Sequence, residues 1–176
     1  MRLVGDQCSL RPFRREDEPS VASLANNRAI ARNLGDEFPH PYTLEDAREW
    51  ISARLADPEP ATHLAIEVGG DAVGGIGLGT HGHQPARVAE VGYWLGEPYW
   101  GRGIASEALR LFRDYAFARF ELHRLFACVV GWNRASARVL EKTGFRLEGR
   151  LRQHVLRDGQ IADELVYGLL RSDLGS

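Results

Sequence analysis

The stretch from residue 88 to residue 131 limits the possible folds more than any other part of the chain. In Val88–Leu95 one face carries Glu90, Gly92 and Trp94. The other face carries Val91, Tyr93 and Leu95, and this alternation is typical of a strand. An amphipathic pattern after Gly103 predicts a long helix that ends near Phe120. The continuous apolar run in Arg124–Gly131 indicates a second strand, buried on both faces. A strand, a helix and a strand in this order form a parallel crossover, so the sheet contains a parallel pair.

The rest of the chain supplies strands and helices around this crossover. Thr43 and Asp46 resemble a capping box at a helix start, and Gly69-Gly70 and Asp158-Gly159 favour hairpin turns. Asn133 is the expected N-cap of a helix that ends at Thr143, before Gly144. The other predicted elements are a strand at Cys8–Phe13, a short helix from Arg15, an irregular stretch at Arg28–Tyr42, a hairpin of Thr62–Val68 with Asp71–Thr80, and a closing hairpin of Phe145–Leu156 with Ile161–Leu170. This order predicts an α+β fold with a mixed sheet.

Length and charge exclude several classes of protein. A chain of 176 residues fits one domain, over residues 1–176, with a core that needs no disulfide or metal. A formal net charge of −2 gives no reason to expect nucleic acid or an anionic membrane as partner. The sequence has no apolar run near the ~20 residues that span a membrane, and a cytoplasmic location follows as the default. Cys8 and Cys128 are expected to be reduced and buried.

The loop Tyr99–Ala105 joins the first strand of the crossover to its helix. Its glycines at 101 and 103 allow positive φ angles and close approach of a ligand to the backbone. The start of the helix offers unpaired N–H groups and a partial positive charge, which suits a pyrophosphate, and Arg102 adds a cation. The alternative is a plain connecting turn. The sequence lacks the Gly-Lys-Ser/Thr of a nucleotide P-loop.

A second glycine pattern, Gly77-Leu-Gly-Thr-His-Gly82, matches the dinucleotide fingerprint letter by letter. It lies at the end of a hairpin strand, and Pro85 follows where a helix has to begin. We therefore interpret it as a coincidental match, with a nucleotide-dependent oxidoreductase as the minor alternative. The glycines of this strand instead keep one face small, so that another group can approach it.

The motifs together resemble the GNAT superfamily of N-acetyltransferases, and within it the RimJ/RimL-like branch that acetylates ribosomal-protein N-termini. The resemblance covers nearly the whole chain. It rests on Ser9-Leu-Arg-Pro-Phe, on Glu90-Val-Gly-Tyr-Trp-Leu followed by Trp100-Gly-Arg-Gly-Ile-Ala-Ser-Glu-Ala, and on the segment from Asn133 to Phe145. Pro98 departs from the usual Gln or Arg at the start of the cofactor loop, which removes one side-chain contact and leaves the backbone cradle.

The resemblance implies an α/β/α sandwich. Its mixed, mostly antiparallel sheet would have about seven strands with a splayed central parallel pair, flanked by about four helices. It implies acetyl-CoA as co-substrate, with the pantetheine arm paired to the backbone of Trp94 and Leu95. Asn133 and Ser136 would contact the same arm or the acceptor. The implied loop contacts are Trp100, Gly101, Arg102, Gly103, Ile104, Ala105 and Ser106.

Two residues are candidates for acid–base chemistry. A primary amine is mostly protonated at neutral pH, so its attack on a thioester benefits from a base. Glu90 lies on the strand that lines the implied cleft, and its alternative role is a structural ion pair. Many family members place a tyrosine acid seven residues after the asparagine, where this chain has Leu140. Ser136 is the substitute that the branch suggests, as a hydrogen-bond donor to the leaving thiolate; its alternative is a bond to its own helix backbone.

The acceptor is the least determined feature. The resemblance implies direct transfer to a primary amine, either a protein or peptide N-terminus or a small-molecule amine. The alternative function is a catalytically weak acyl-CoA-binding regulatory module. The acceptor pocket is expected from residues 28–42 and 80–87 and from the final hairpin. His81 and His83 lack a third ligand nearby, so we expect no metal. The branch often forms dimers, which makes a homodimer the expectation.

Overall fold

A single sheet organises the chain. The computed structural model describes residues 1–57, 59–79 and 87–175, and within them the sheet has eight strands in the order β1-β2-β3-β4-β5-β6-β8-β7. Neighbouring strands in this described part pair antiparallel, except for the parallel pair β5 and β6. The strands are β1 (Leu3–Val4), β2 (Ser9–Arg11), β3 (His63–Val68), β4 (Asp71–Gly79), β5 (Val88–Leu95), β6 (Arg124–Val130), β7 (Arg146–Arg157) and β8 (Gln160–Leu170).

Helices cover both faces of this sheet. They are α1 (Glu18–Ala25), α2 (Arg28–Ala31), α3 (Leu44–Leu55), α4 (Ile104–Arg119) and α5 (Arg134–Lys142). Short 3₁₀ turns occupy Arg15–Asp17, Glu97–Tyr99 and Arg171–Leu174. The α+β sandwich with a mixed sheet is confirmed, and the described residues contain one strand and one helix more than expected. The extra helix, α2, lies in the stretch predicted to be irregular, where Asn27 caps it by accepting a hydrogen bond from the Ala29 amide at 2.8 Å.

A helix cap and a hairpin turn lie at the residues that the sequence predicts. Thr43 Oγ1 accepts from the Asp46 amide at 3.2 Å, and the Asp46 carboxylate accepts from the Thr43 amide at 2.7 Å. Asp158 and Gly159 both have positive φ, at 49° and 72°, as a type I′ turn requires. These contacts lie within four residues of each other along the chain, and for that reason the sequence alone reveals them.

The parallel pair opens after three residues. The register joins Val88 to Arg124 and ends at the pairing of Glu90 with Phe126 among the described residues. β5 nevertheless continues to Leu95 and β6 to Val130, each still paired on its other side. The two strands therefore diverge, and the predicted splay of the central pair is confirmed.

Two hydrophobic clusters fill the space on either side of the sheet. Leu64 and Ile66 belong to the cluster that α4 and α5 complete, while Ala65 belongs to the cluster with α1 and α3. Since successive residues of a strand point to opposite faces, the two clusters lie on opposite sides of the sheet. The molecule is thus a three-layer α/β/α sandwich, as the family resemblance implies. Burying two faces in this way needs apolar residues on both sides of the central strands.

A buried ion cluster joins β2, β3 and the turn before α1. The Arg11 side chain is 2% exposed and forms a fork with Asp17, from Nη1 at 2.7 Å and from Nη2 at 2.8 Å. Arg11 Nε donates to the Glu67 carboxylate, which also accepts from Arg2. Burial alone would raise the pKa of Glu67, but Arg11, with help from Arg2 and Ser9, outweighs it and lowers that pKa. Removing one partner of a buried ion pair strongly destabilises a protein, because the other charge stays buried without its partner.

Three expectations about burial were wrong. Cys8 is buried, but Cys128 is exposed, because β6 loses its neighbour where β5 diverges. Helical spacing predicts Ala47, Trp50, Ile51 and Leu55 on one apolar side of α3, but Trp50 and Leu55 are both exposed, and Ala47 and Ile51 are buried. The predicted burial of β6 on both faces therefore fails at residue 128, at the point where the sheet opens.

We expect Asp17→Ala to lower the free energy of unfolding by about 3–5 kcal/mol, since it leaves Arg11 charged, buried and half paired. The matched control is Asp114→Ala, which removes a carboxylate that is 63% exposed and paired with Arg113. This control should cost at most about 1 kcal/mol. Urea unfolding of both variants measures the difference. Equal effects would mean that the buried cluster adds no more to stability than a surface pair.

Candidate active site

A cavity of about 690 Å³ lies where β5 and β6 separate. Five elements of the described chain form its wall: α2, the second half of β5, the loop before α4, the end of β6, and α5. Apolar atoms dominate the wall, and polar groups converge on it from the loop and from α5. A largely apolar cleft with a few convergent polar groups is the usual form of a ligand site.

The loop before α4 forms one end of the cavity. Gly101 and Gly103 have φ angles of 71° and 78°, in the left-handed region that favours glycine. A Cβ atom at Gly103 would also lie 3.2 Å from the side-chain nitrogen Nε2 of Gln7, so this side chain packs closely against the loop. Ile104 is 1% exposed and anchors the first turn in the core. The first N–H groups of α4 are thereby held at the cavity, in the geometry of an anion site.

Arg102 and Trp100 take different places around this loop. Trp100 lines the cavity, and its Nε1 donates to the Leu95 carbonyl at 2.7 Å. Arg102 lies outside the wall, with its guanidinium 5.5 Å from the centre of the Tyr99 ring. The structure thus brings Trp100, Gly101, Gly103, Ile104, Ala105 and Ser106 to one wall, and Arg102 to its rim.

Glu107 fixes the N-terminal segment against this loop, although its position on α4 predicts a solvent-facing side chain. Its carboxylate accepts from the backbone amides of Asp6, Gln7 and Cys8 at 2.7–2.9 Å. Burial alone would raise the pKa of Glu107, but these three amides outweigh it and lower that pKa. The expectation of a solvent-facing Glu107 was therefore wrong, because partners a hundred residues away leave no local signal.

The free edge of β5 borders the cavity. One edge of this strand is paired with β4, from Glu90 opposite Gly79 to Leu95 opposite Gly74. The other edge, from Val91 onward, faces the gap toward β6. Trp94 and Leu95 both line the cavity, and the Trp94 ring packs edge-on against Phe38 at 6.1 Å. An open strand edge offers backbone groups in the spacing that an extended ligand arm can match.

Glu90 lies at the base of the gap, beside Cys128 rather than in the cavity wall. The Cys128 thiol interacts with the Glu90 carboxylate, and a second carboxylate, Glu164 of β8, lies near the same thiol. Desolvation, followed by these two negative charges, raises the pKa of Cys128 to about 12. The His154 ring lies 3.7 Å from Glu164. One end of the cleft therefore carries two carboxylates next to an uncharged thiol.

Ser136 lies on the opposite face of the sheet from Glu90. Asn133 caps α5 as predicted, with Oδ1 accepting from the Ser136 amide at 3.2 Å. The Ser136 hydroxyl is hydrogen bonded to the Tyr93 hydroxyl at 2.8 Å. Both Asn133 and Ser136 line the cavity. Leu140 is fully buried in the core, so it offers the cavity no polar group.

A row of cations along α5 is the feature that sequence reasoning missed. Arg134, Arg138 and Lys142 all line the cavity and are exposed. They are four residues apart, which places them on one face of a helix. This spacing is visible in the sequence. It is suited to a ligand with several phosphate charges.

The wall opposite α5 comes from α2. Ala29 and Ile30 of α2 and Arg32, Asn33 and Leu34 just after it line the cavity, so part of the stretch 28–42 borders the site. Arg32 lies 5.1 Å from the Trp132 ring centre, and Trp132 Nε1 donates to Asn33 Oδ1 at 2.9 Å. The tip of the final hairpin is tied to the same helix through Arg28 and Asp158, at 3.1 Å.

Several sequence predictions fall outside the described residues, among them the pair His81 and His83 and most of the stretch 80–87. Gly77 and Gly79 of the dinucleotide-like pattern lie inside β4, so the pattern begins within a strand rather than after it. A Cβ atom at Gly77 would lie 2.2 Å from the His63 ring, which explains the small residue there. The part of the chain that the structure describes contains no group of three metal-ligating side chains and no helix suited to crossing a membrane.

Comparisons with known proteins agree with this geometry. A family model described as an acetyltransferase (GNAT) domain matches residues 8–146. The probable N-acetyltransferase YjcK of Bacillus subtilis is 35% identical over 180 residues, which cover 97% of this chain and 98% of that protein. The spermidine N(1)-acetyltransferase of Escherichia coli K12 is 28% identical over 151 residues, which cover 86% of this chain and 79% of that protein.

The fold itself is shared with a RimJ structure. RimJ of Mycobacterium smegmatis, solved in complex with CoA-disulfide, matches with a TM-score of 0.82 at 28% identity, over 96% of this chain and 84% of that one. The resemblance to the RimJ/RimL branch is thereby confirmed at the level of similarity. With a family model that spans most of its length, this chain belongs to the GNAT family of acetyltransferases.

Proposed function

We propose that this protein transfers the acetyl group of acetyl-CoA directly to a primary amine, within a complex that holds both substrates. The observation that carries the proposal is the gap between β5 and β6, which joins a phosphate-suited loop on one face of the sheet to a carboxylate on the other. Membership in an acetyltransferase family supports the reaction type. The comparisons name acetyltransferases and lend no support to a binding-only module.

The residues of the cavity fit coenzyme A group by group. The N–H groups after Gly103 face the cavity and suit the pyrophosphate. Arg138 and Lys142, on the exposed face of α5, suit the remaining phosphate charge. The open edge of β5 at Trp94 and Leu95 suits the amides of the pantetheine arm. When bound, acetyl-CoA supplies the activated acetyl group.

Glu90 and Ser136 act at opposite ends of the transfer. Glu90 takes a proton from the acceptor ammonium, directly or through water, so that the amine nitrogen forms its bond to the acetyl carbon. The nitrogen then loses its second proton to solvent, the carbon–sulfur bond breaks, and the sulfur leaves with the electron pair. Ser136 donates a hydrogen bond to that sulfur, which acquires its proton from solvent. The products are an N-acetyl amine and the free thiol of coenzyme A.

The acceptor is a cationic amine. Glu90 and Glu164 both lie beside Cys128, on the face of the sheet away from α4 and α5, and two carboxylates attract an ammonium group. The related Escherichia coli protein is named for an amine of this class, spermidine. The RimJ/RimL resemblance adds protein N-termini, which share the ammonium group. We expect the opening of the cavity beside α2 to admit either a polyamine or a protein N-terminus.

The first test is a binding and transfer assay with Arg138→Ala. Saturating acetyl-CoA should raise the Tm of the wild type by about 5–10 °C at a hundredfold excess over Kd. Arg138→Ala should raise the KM for acetyl-CoA roughly 3–10-fold and leave the KM for acetyl-pantetheine, which lacks the nucleotide phosphates, unchanged. Arg152→Ala, which removes an exposed arginine on β7, is the control. Absence of both stabilisation and coenzyme A release would disprove the proposed function.

A second test concerns the base. Glu90→Gln should lower kcat/KM for the amine by about 10²–10⁴-fold at pH 7. The deficit should shrink as pH rises toward the pKa of the acceptor, about 10 for an alkyl amine and about 8 for a protein N-terminus, because free amine then becomes abundant. Glu121→Gln removes an exposed carboxylate near Arg87 and serves as control. Rates that are equal in Glu90→Gln and wild type across this pH range would remove Glu90 from the reaction.

A third test separates direct transfer from an acetyl-cysteine route. Because the pKa of Cys128 is raised to about 12, little thiolate exists near neutral pH. We expect Cys128→Ser to keep at least about half of the wild-type kcat, since no covalent step uses this thiol. Initial rates with both substrates varied should give intersecting double-reciprocal lines. Parallel lines together with an inactive Cys128→Ser variant would show a double displacement instead.

A further inference from the structure

Tyr93 brings a second hydroxyl to Ser136 from the neighbouring strand. Its hydroxyl oxygen lies 2.8 Å from Ser136 Oγ and 3.4 Å from the Ser136 carbonyl oxygen. Tyr93 lines the cavity on the free half of β5, three residues beyond Glu90. Since side chains alternate along a strand, Tyr93 faces α5 while Glu90 faces away from it.

We propose that Tyr93 is a positioning residue that orients the Ser136 hydroxyl toward the leaving sulfur. The inference rests on the proposed function, because it takes Ser136 as the group that meets the thiolate. A serine hydroxyl has one proton to donate and two lone pairs that accept. If the Tyr93 phenol donates to Ser136 Oγ, the serine proton is left for the sulfur.

The surroundings of Tyr93 keep its proton in place. Burial raises the pKa of Tyr93 to about 12, although the hydrogen bond to Ser136 lowers this pKa in part. The phenol therefore stays neutral across the pH range in which a thiol with a pKa of about 8.5 ionises. Asn133 meanwhile holds the Ser136 amide at 3.2 Å. The backbone of Ser136 is fixed from its own helix and its side chain from β5, so the hydroxyl has a defined direction.

Tyr93 provides a phenol near Ser136 in a chain that has Leu140 at the family's tyrosine position on α5. Leu140 is fully buried and packs in the core that α4 and α5 share. The family resemblance implies a tyrosine acid at that position in many members. Here the phenol comes from β5 and reaches the sulfur only through Ser136. Tyr93 changes the orientation of the serine hydroxyl and leaves its acidity unchanged. A preorganised donor needs no rearrangement as negative charge develops on the sulfur.

A purely structural role is the competing explanation, and the chain contains a matched control for it. Tyr167 of β8 also ties a strand to α5, through its hydroxyl and Glu141 Oε1 at 3.0 Å. Tyr167→Phe therefore removes a similar strand-to-helix hydrogen bond without touching Ser136. If Tyr93 served only to hold α5 on the sheet, both Tyr→Phe variants would behave alike.

The test combines turnover with a double-mutant cycle. We expect Tyr93→Phe to lower kcat about 10–100-fold with a KM for acetyl-CoA within about twofold of wild type. Tyr93→Phe added to Ser136→Ala should cause no further loss, because both changes remove one unit. Tyr167→Phe should keep the wild-type kcat. Independent, multiplying effects of the Tyr93 and Ser136 variants, or an unchanged kcat in either, would overturn the proposal.

A binding measurement tests the same inference without turnover. Coenzyme A and desulfo-coenzyme A differ only at the thiol, so the ratio of their affinities reports the interaction at sulfur. In wild type this ratio should rise roughly 3–10-fold in favour of coenzyme A between pH 7 and pH 9.5, as the thiolate forms. In Tyr93→Phe it should change less than twofold. A wild type that shows this rise but acetylates no amine would disprove the proposed function alone; an equal rise in Tyr93→Phe would disprove the role of Tyr93.

Discussion

The divergence of β5 from β6 is the constraint on which the rest of the site depends. Three residues of each strand pair in parallel, and the next five residues of β5 keep only their β4 partner. The gap opens the sheet from one face to the other and leaves a strand edge along its side. The loop before α4 follows β5 directly, so the helix N-terminus is delivered to the end of the same gap. A ligand with a phosphate group and an extended arm matches both features at once.

The period of a strand divides the chemistry between the two faces. Glu90 and Tyr93 are three residues apart, so their side chains leave β5 on opposite sides. The proposed deprotonation of the acceptor and the proposed stabilisation of the leaving sulfur are thereby assigned to opposite faces of the sheet. A shift of one residue in the β4–β5 register would reverse this assignment. The glycines that face Trp94 from β4 hold that register closely, because a Cβ at Gly75 would lie 2.9 Å from its ring nitrogen.

The sequence predicts what neighbouring residues determine and misses what distant residues determine. Val88–Leu95 and the Thr43 cap are correct to the residue, since alternation and capping act over a few positions. The exposure of Cys128 and the three amides on Glu107 depend on partners far along the chain. The Tyr93–Ser136 bond joins residues 43 apart and leaves no pattern either. The cation row of α5, by contrast, has helical spacing and was visible in the sequence.

Cys128 shows how the acceptor side works as a whole. Its thiol is exposed at the gap, next to the place where an activated acetyl group would lie, and such a position invites acetylation. Desolvation and the carboxylates of Glu90 and Glu164 oppose it, because they raise the pKa of Cys128 to about 12 and so leave little reactive thiolate near neutral pH. The negative field that suppresses this nucleophile favours a cationic amine in its place. Under the proposed function, the charges that would select the acceptor would also keep this thiol from reacting with acetyl-CoA.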